Sequence, residues 1–72
     1  MTKETALATN PLAATRLLEA AVPYLNNDTE LTGFVISCGV MSAYICKRNT
    51  HCLRYAFYYN HGNVVVEHYP VK

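Results

Sequence analysis

The chain has 72 residues, 51% of them apolar, with six basic and five acidic side chains and a formal charge of +1. That length holds one domain, residues 1–72, and that apolar fraction excludes a disordered chain. So even a charge balance gives no overall field to gather nucleic acid or anionic lipid, and no run approaches the roughly 20 apolar residues of a membrane span.

The opening stretch, MTKETALAT, lacks the apolar run of a signal peptide. It reads as a loose N-terminal arm over residues 1–9, from which Leu7 could dock. A cytoplasmic location is the expectation. The three cysteines, Cys38, Cys46 and Cys52, are odd in number and lack a disulfide-framework spacing, which fits a reducing compartment.

NPLAATRLLEAAVPYL, residues 10–25, carries the clearest helix signal. Asn10 suits the N-cap and Pro11 the first helical position. Ala14, Leu17, Leu18, Ala21 and Leu25 recur at helical spacing and make one apolar stripe. Pro23 should end or kink the helix near Val22. Arg16 and Glu19 fall off the stripe, and the polar run NNDTE links the helix to the first strand.

From Leu31 the period changes from helical to alternating. TGFVIS, VMSAYICK, LRYAFYY and VVVEHY are rich in β-branched and aromatic residues and are separated by turn residues. A two-residue hairpin loop at Cys38–Gly39 sets Ile36 opposite Met41 and Phe34 opposite Ala43. A second at His61–Gly62 sets Tyr59 opposite Val64, Phe57 opposite Val66 and Tyr55 opposite His68. Both registers match apolar to apolar. In the middle, a two-residue Asn49–Thr50 loop would oppose Ile45 to Arg54. A three- or five-residue loop within Arg48–Cys52 is therefore expected, with Ile45 meeting Tyr55 or Leu53. The fold predicted is α+β: one N-terminal helix packed on a four-stranded antiparallel meander, αββββ, with Pro70 favouring an edge position for the last strand.

Alternation then sorts the faces. Phe34, Ile36, Met41, Ala43, Ile45, Leu53, Tyr55, Phe57, Tyr59, Val64 and Val66 should meet the helix. Val35, Ser37, Val40, Ser42, Tyr44, Cys46, Arg54, Ala56, Tyr58, Val65, Glu67 and Tyr69 share the other face. Arg54 and Glu67 could pair diagonally across strands there. One helix cannot cover both faces, so Tyr44, Tyr58 and Tyr69 remain on an open surface. Tyrosine is a good strand residue in any sheet, but tyrosines gathered with arginine also form the composition enriched at interfaces.

Candidate chemistry is thin. Cys46, His51 and Cys52 lie near one another, with His61 and His68 beyond, yet no closely spaced ligand pair of the structural zinc type exists. Cys52 beside His51 lacks an acidic orienter and an oxyanion loop. There is no phosphate-binding glycine loop, and the carboxylates share no element. No cofactor, metal or enzymatic activity is expected.

The sequence points to a small non-enzymatic protein-binding regulator or inhibitor, of the size class found in phages and mobile elements. Its partner-binding residues would be Tyr44, Lys47, Arg48, His51, Arg54, Tyr58 and Tyr69. The alternative is a single-stranded nucleic-acid-binding module, in which exposed rings stack bases beside the basic stretch CKRNTHCLR. A third reading is a structural homodimer subunit, paired through the apolar second face or through the edge of the first or last strand.

Overall fold

A computed structural model describes residues 1–70. The helical part has two segments, α1 (Lys3–Thr9) and α2 (Pro11–Ala21), followed by a single 3-10 turn at Val22–Tyr24. The strands are β1 (Thr29–Ser37), β2 (Val40–Lys47), β3 (Leu53–Asn60) and β4 (Asn63–His68). They pair in the order β1-β2-β3-β4, all antiparallel, so the predicted αββββ meander is the fold.

Residues 1–9 are not a loose arm. Thr2 caps α1 by accepting from the Thr5 backbone N–H at 3.2 Å, and Ala6 is fully buried in the core. Met1 pairs with the outer edge of β1: its nitrogen donates to the Phe34 carbonyl at 2.6 Å, and its carbonyl accepts from the Phe34 N–H at 3.1 Å. A short segment too weak to hold a helix alone is stabilised by these tertiary contacts.

Asn10 closes α1 with its backbone N–H and caps α2 with its side chain, which accepts from the Ala13 N–H at 3.1 Å. The buried stripe of α2 is Ala13, Ala14, Leu17 and Ala21. It is turned toward Ala13 relative to the predicted one. Leu18 is half-buried, and Leu25 is 40% exposed because α2 has already ended at Ala21, just before Pro23. Alanine dominates this stripe, so the helix backbone approaches the sheet closely. The sheet supplies the bulk in return: Phe34, Phe57 and Ile45 are among the largest fully buried side chains. Tyr24, after the helix, packs its ring 4.5 Å from Tyr55 and 5.6 Å from Phe57.

Both outer hairpins have the predicted register. Cys38 and Gly39 have φ of 53° and 78°, and His61 and Gly62 have 50° and 83°. Two successive left-handed residues make the turn whose twist matches the strands, which is why glycine occupies the second position of each. The β2–β3 connection runs from Arg48 to Cys52, five residues, with Ile45 opposite Tyr55 and a register shift before Cys46. Asn49 takes the left-handed conformation there, φ 63°. β1 also carries a bulge, between Leu31 and Gly33. No helix among the described residues is long and apolar enough to cross a membrane.

Candidate functional site

Alternation along the strands gives the sheet its two faces, and α2 covers only the middle of one. Met41, Ala43, Ile45 and Phe57 of the two central strands are buried beneath it, and Phe34 of β1, the strand that α1 contacts, is buried as well, whereas Ile36 and Val66, on the flanking strands, each remain 40% exposed. A helix about 10 Å across spans two strands of a sheet spaced about 4.8 Å apart, not four.

Among the described residues, the opposite face has no layer over it. Val35 and Val65 are 47% and 48% exposed, and Tyr69 is 37% exposed. Ser42, Cys46 and Ala56 are nevertheless buried on this side. Ser42 lies directly across from Tyr58, and Ala56 across from Tyr44, so small residues sit between large rings. The Tyr44 and Tyr58 rings meet edge to face with centroids 6.5 Å apart, a favoured aromatic geometry. Cys46 lies 3.8 Å from the Thr32 hydroxyl.

On the β4 side, Glu67 organises the surface. The Tyr69 hydroxyl donates to its Oε1 at 3.2 Å. The Tyr58 phenol is held protonated, its pKa raised above the ordinary tyrosine value first by the hydrogen-bonding pull of Glu67, then by burial and the carboxylate charge. Val40, Tyr58, Asn60, Val65 and Glu67 line an open concavity of about 350 Å³. Val40, Asn60, Val65 and Glu67 are not among the predicted binding residues. All four are legible as lining from the strand phase they share with Tyr58, Asn60 two residues along β3 and the others on β2 and β4.

The diagonal Arg54–Glu67 pair does not form among the described residues. Glu67 is engaged by the tyrosines, and the ion pair present is Arg48–Glu30 at 3.6 Å. Arg54 sits across the ladder from Tyr69, whose N–H donates to the Arg54 carbonyl at 2.8 Å. Its Nε is buried with no acceptor among the described residues.

The predicted cations behave differently from one another. Arg48 reaches back over the connection between the helical layer and β1. Its Nε donates to the Asn27 carbonyl at 3.1 Å, and its Nη2 donates to the carbonyls of Thr29 at 3.0 Å and Asn26 at 3.3 Å. Its backbone N–H reaches the Asp28 carbonyl at 2.8 Å. Arg48 thus ties two loops together. Lys47, His51 and Cys52 are exposed around the same turn, which Thr50 braces by accepting from the Cys52 N–H at 3.1 Å and donating to the Lys47 carbonyl at 2.7 Å. The structure therefore brings Tyr44 and Tyr58 together, and Tyr58 and Tyr69 around Glu67, with Arg54 beside Tyr69. It places Lys47 and His51 at the end of the sheet and commits Arg48 to the loops.

Among the described residues, no three His, Cys, Asp or Glu side chains gather where they could hold a metal ion.

Fold and site together define a small αββββ domain with one helix-covered face and one open face built from tyrosine, valine and a half-buried arginine. No family model, curated protein or solved structure matches this chain.

Proposed function

We propose that this chain is a small non-enzymatic regulator that binds another protein through the open face bearing Tyr44, Tyr58 and Tyr69, with Arg54 at the contact and Lys47 and His51 at its rim. The observation that carries the reading is Arg54, whose Nε is buried and has no acceptor among the described residues. Such a donor costs about 1–3 kcal/mol until it finds a partner. A docked protein that draws the Arg54 side chain outward onto a carboxylate or carbonyl relieves that cost and gains a charge-assisted bond. Tyrosine and arginine in a half-buried cluster are also the residue types that dominate interface energetics. The partner surface that fits is apolar at its centre, with an acidic or carbonyl group facing Arg54.

Single-stranded nucleic acid has weaker support. Its binding needs a row of cations along the strand path. Arg48, the central cation of the basic stretch, spends its guanidinium on three carbonyls and Glu30.

The test begins with capture from nuclease-treated lysate, followed by purification of the captured protein and calorimetric titration. Tyr58→Ala and Arg54→Met, each folded by circular dichroism, should weaken binding at least tenfold, about 1.4 kcal/mol. Capture that disappears with nuclease treatment, or affinity unchanged in both variants, overturns the reading.

A further inference from the structure

The two edges of the sheet are unequal. At β1, the groups that point outward at Phe34 are taken by Met1, and the bulge at Leu31–Gly33 breaks the line of the strand. These are devices that keep an edge from pairing with another chain. β4 has neither: it runs regularly from Asn63 to His68, includes three consecutive valines, and nothing among the described residues pairs with its outer side.

Its hydrogen-bonding phase is fixed. The Tyr69 N–H donates to the Arg54 carbonyl, and antiparallel ladders alternate hydrogen-bonded and non-hydrogen-bonded pairs. Glu67 opposite Ala56, Val65 opposite Tyr58, and Asn63 opposite Asn60 are then the other pairs bonded to β3. The backbone N–H and C=O groups of Val64, Val66 and His68 therefore point outward. Their side chains lie on the helix side, where Val66 is 40% exposed and the His68 ring stacks on Tyr55 at 4.9 Å.

We propose that β4 pairs with β4 of a second copy of this chain, antiparallel, about a two-fold axis through Val66. That register sets Val66 opposite Val66 and Val64 opposite His68 of the second copy. All three outward residues then form hydrogen-bonded pairs, each of two bonds, making six in all. On the open face it sets Val65 opposite Glu67, so the two carboxylates never face each other. An axis through Val65 leaves His68 opposite a turn residue and keeps only two of the pairs. An axis through Glu67 opposes like charges, which is destabilising, and sets Val64 against Pro70, which has no N–H. The sequence of β4 thus favours one self-pairing over its neighbours, on hydrogen bonds against both and on charge against the second.

The axis is perpendicular to the sheet, so the two tyrosine faces emerge on the same side. The assembly is one continuous eight-stranded sheet, twice the four of a single copy, offering two equivalent docking surfaces to a repeated or two-fold partner. The pairing itself does not depend on what the tyrosine face binds.

Sedimentation equilibrium of the full chain at about 100 μM and disulfide trapping test it together. The wild-type chain should sediment at about 16 kDa, twice its 8.1 kDa. Val66→Lys, which puts like charges at the axis, should sediment as a monomer, and Tyr58→Ala should remain a dimer. In a Cys38→Ser, Cys52→Ser background, Val65→Cys with Glu67→Cys should oxidise to a covalent dimer, because cross-strand non-hydrogen-bonded Cα atoms lie about 4.5 Å apart. Either cysteine alone should not. A wild-type monomer overturns the proposal, as does trapping by Val65→Cys alone, or dissociation by Tyr58→Ala with Val66→Lys still dimeric.

Discussion

Phe57 and Tyr58 are adjacent in β3, yet the period of two sends them to opposite faces, and their truncations should have opposite consequences. Phe57 is fully buried beneath the helical layer, its ring 5.6 Å from Tyr24 and 6.4 Å from Tyr55. Phe57→Ala removes that ring from a site walled by alanine backbone, which has little freedom to collapse, so the cost is about 3–5 kcal/mol. Stabilities of about 0.05–0.15 kcal/mol per residue put the whole chain at about 4–11 kcal/mol, so this variant sits near its unfolding limit. Tyr58→Ala loses an edge-to-face contact worth about 0.5–1.5 kcal/mol and a Glu67 contact that water can replace, about 1–2 kcal/mol together. With a urea slope near 1 kcal/mol per molar for so small a chain, Phe57→Ala lowers the midpoint by about 3–5 M and Tyr58→Ala by about 1–2 M. Phe57→Leu, at about 1–2 kcal/mol, keeps the core position measurable if the alanine variant is already unfolded. The assay is urea unfolding followed by far-ultraviolet circular dichroism. A Tyr58→Ala chain that is unfolded in buffer beside a wild-type-like Phe57→Leu chain would reverse the two faces and refute the reasoning.

Three further outcomes concern side chains outside that pair or the protonation of Tyr58 itself. Arg48→Ala should cost about 1–2 kcal/mol in thermal or urea unfolding, discounted for a half-exposed guanidinium, whereas Lys47→Ala should stay within about 0.5 kcal/mol; equal effects would contradict the loop-tying role of Arg48. The raised Tyr58 pKa means the folded chain holds the phenolic proton more tightly than the unfolded one, so the associated stability is whole below pH ~10 and is lost as the pH climbs toward the folded value. Absorbance titration at about 295 nm should therefore show a late tyrosine component that Tyr58→Phe removes and Glu67→Gln moves earlier, and its persistence in Tyr58→Phe would assign it elsewhere. Of the three thiols, Cys38 and Cys52 are exposed and should react at once with a disulfide reagent, while buried Cys46 should wait for opening of the fold; three equal rates would contradict its burial.

Much of the fold is legible in the sequence because its signals are local. Gly39 and Gly62 announce turns that require positive φ, and the apolar matching of Phe34 with Ala43 and Phe57 with Val66 fixes register without any knowledge of distant chain. Parity alone shows that one extra residue is needed between the positions of Ile45 and Tyr55, and the register shift before Cys46 supplies it. The failures are tertiary. Residues 1–9 lack strong local signals, and their helix exists because Met1 pairs with Phe34 and Ala6 packs in the core. Ala13 faces inward, although alanine is neutral in a hydrophobic pattern, because the sheet's large side chains require a small-residue helix face against them.

The candidate site divides the same way, and Arg48 and Arg54 mark the division. Both lie in the one basic stretch, and nothing in their composition or spacing separates them. Phase places Arg54 on the open face, and among the described residues its Nε has no acceptor. Arg48 lies past the end of β2, where alternation no longer determines direction, and its guanidinium finds loop carbonyls about twenty residues away in the chain. A planar fork of donors stabilises either a fold or a contact according to which acceptors lie within reach. Those acceptors belong to a connection whose path is set by Thr29, buried and hydrogen-bonded to the Tyr24 carbonyl at 2.9 Å, and so ultimately by where α2 ends at Ala21 and the turn to Tyr24 follows. The position of the helix stop thus sets which carbonyls Arg48 holds, a dependence that no window of sequence around Arg48 contains.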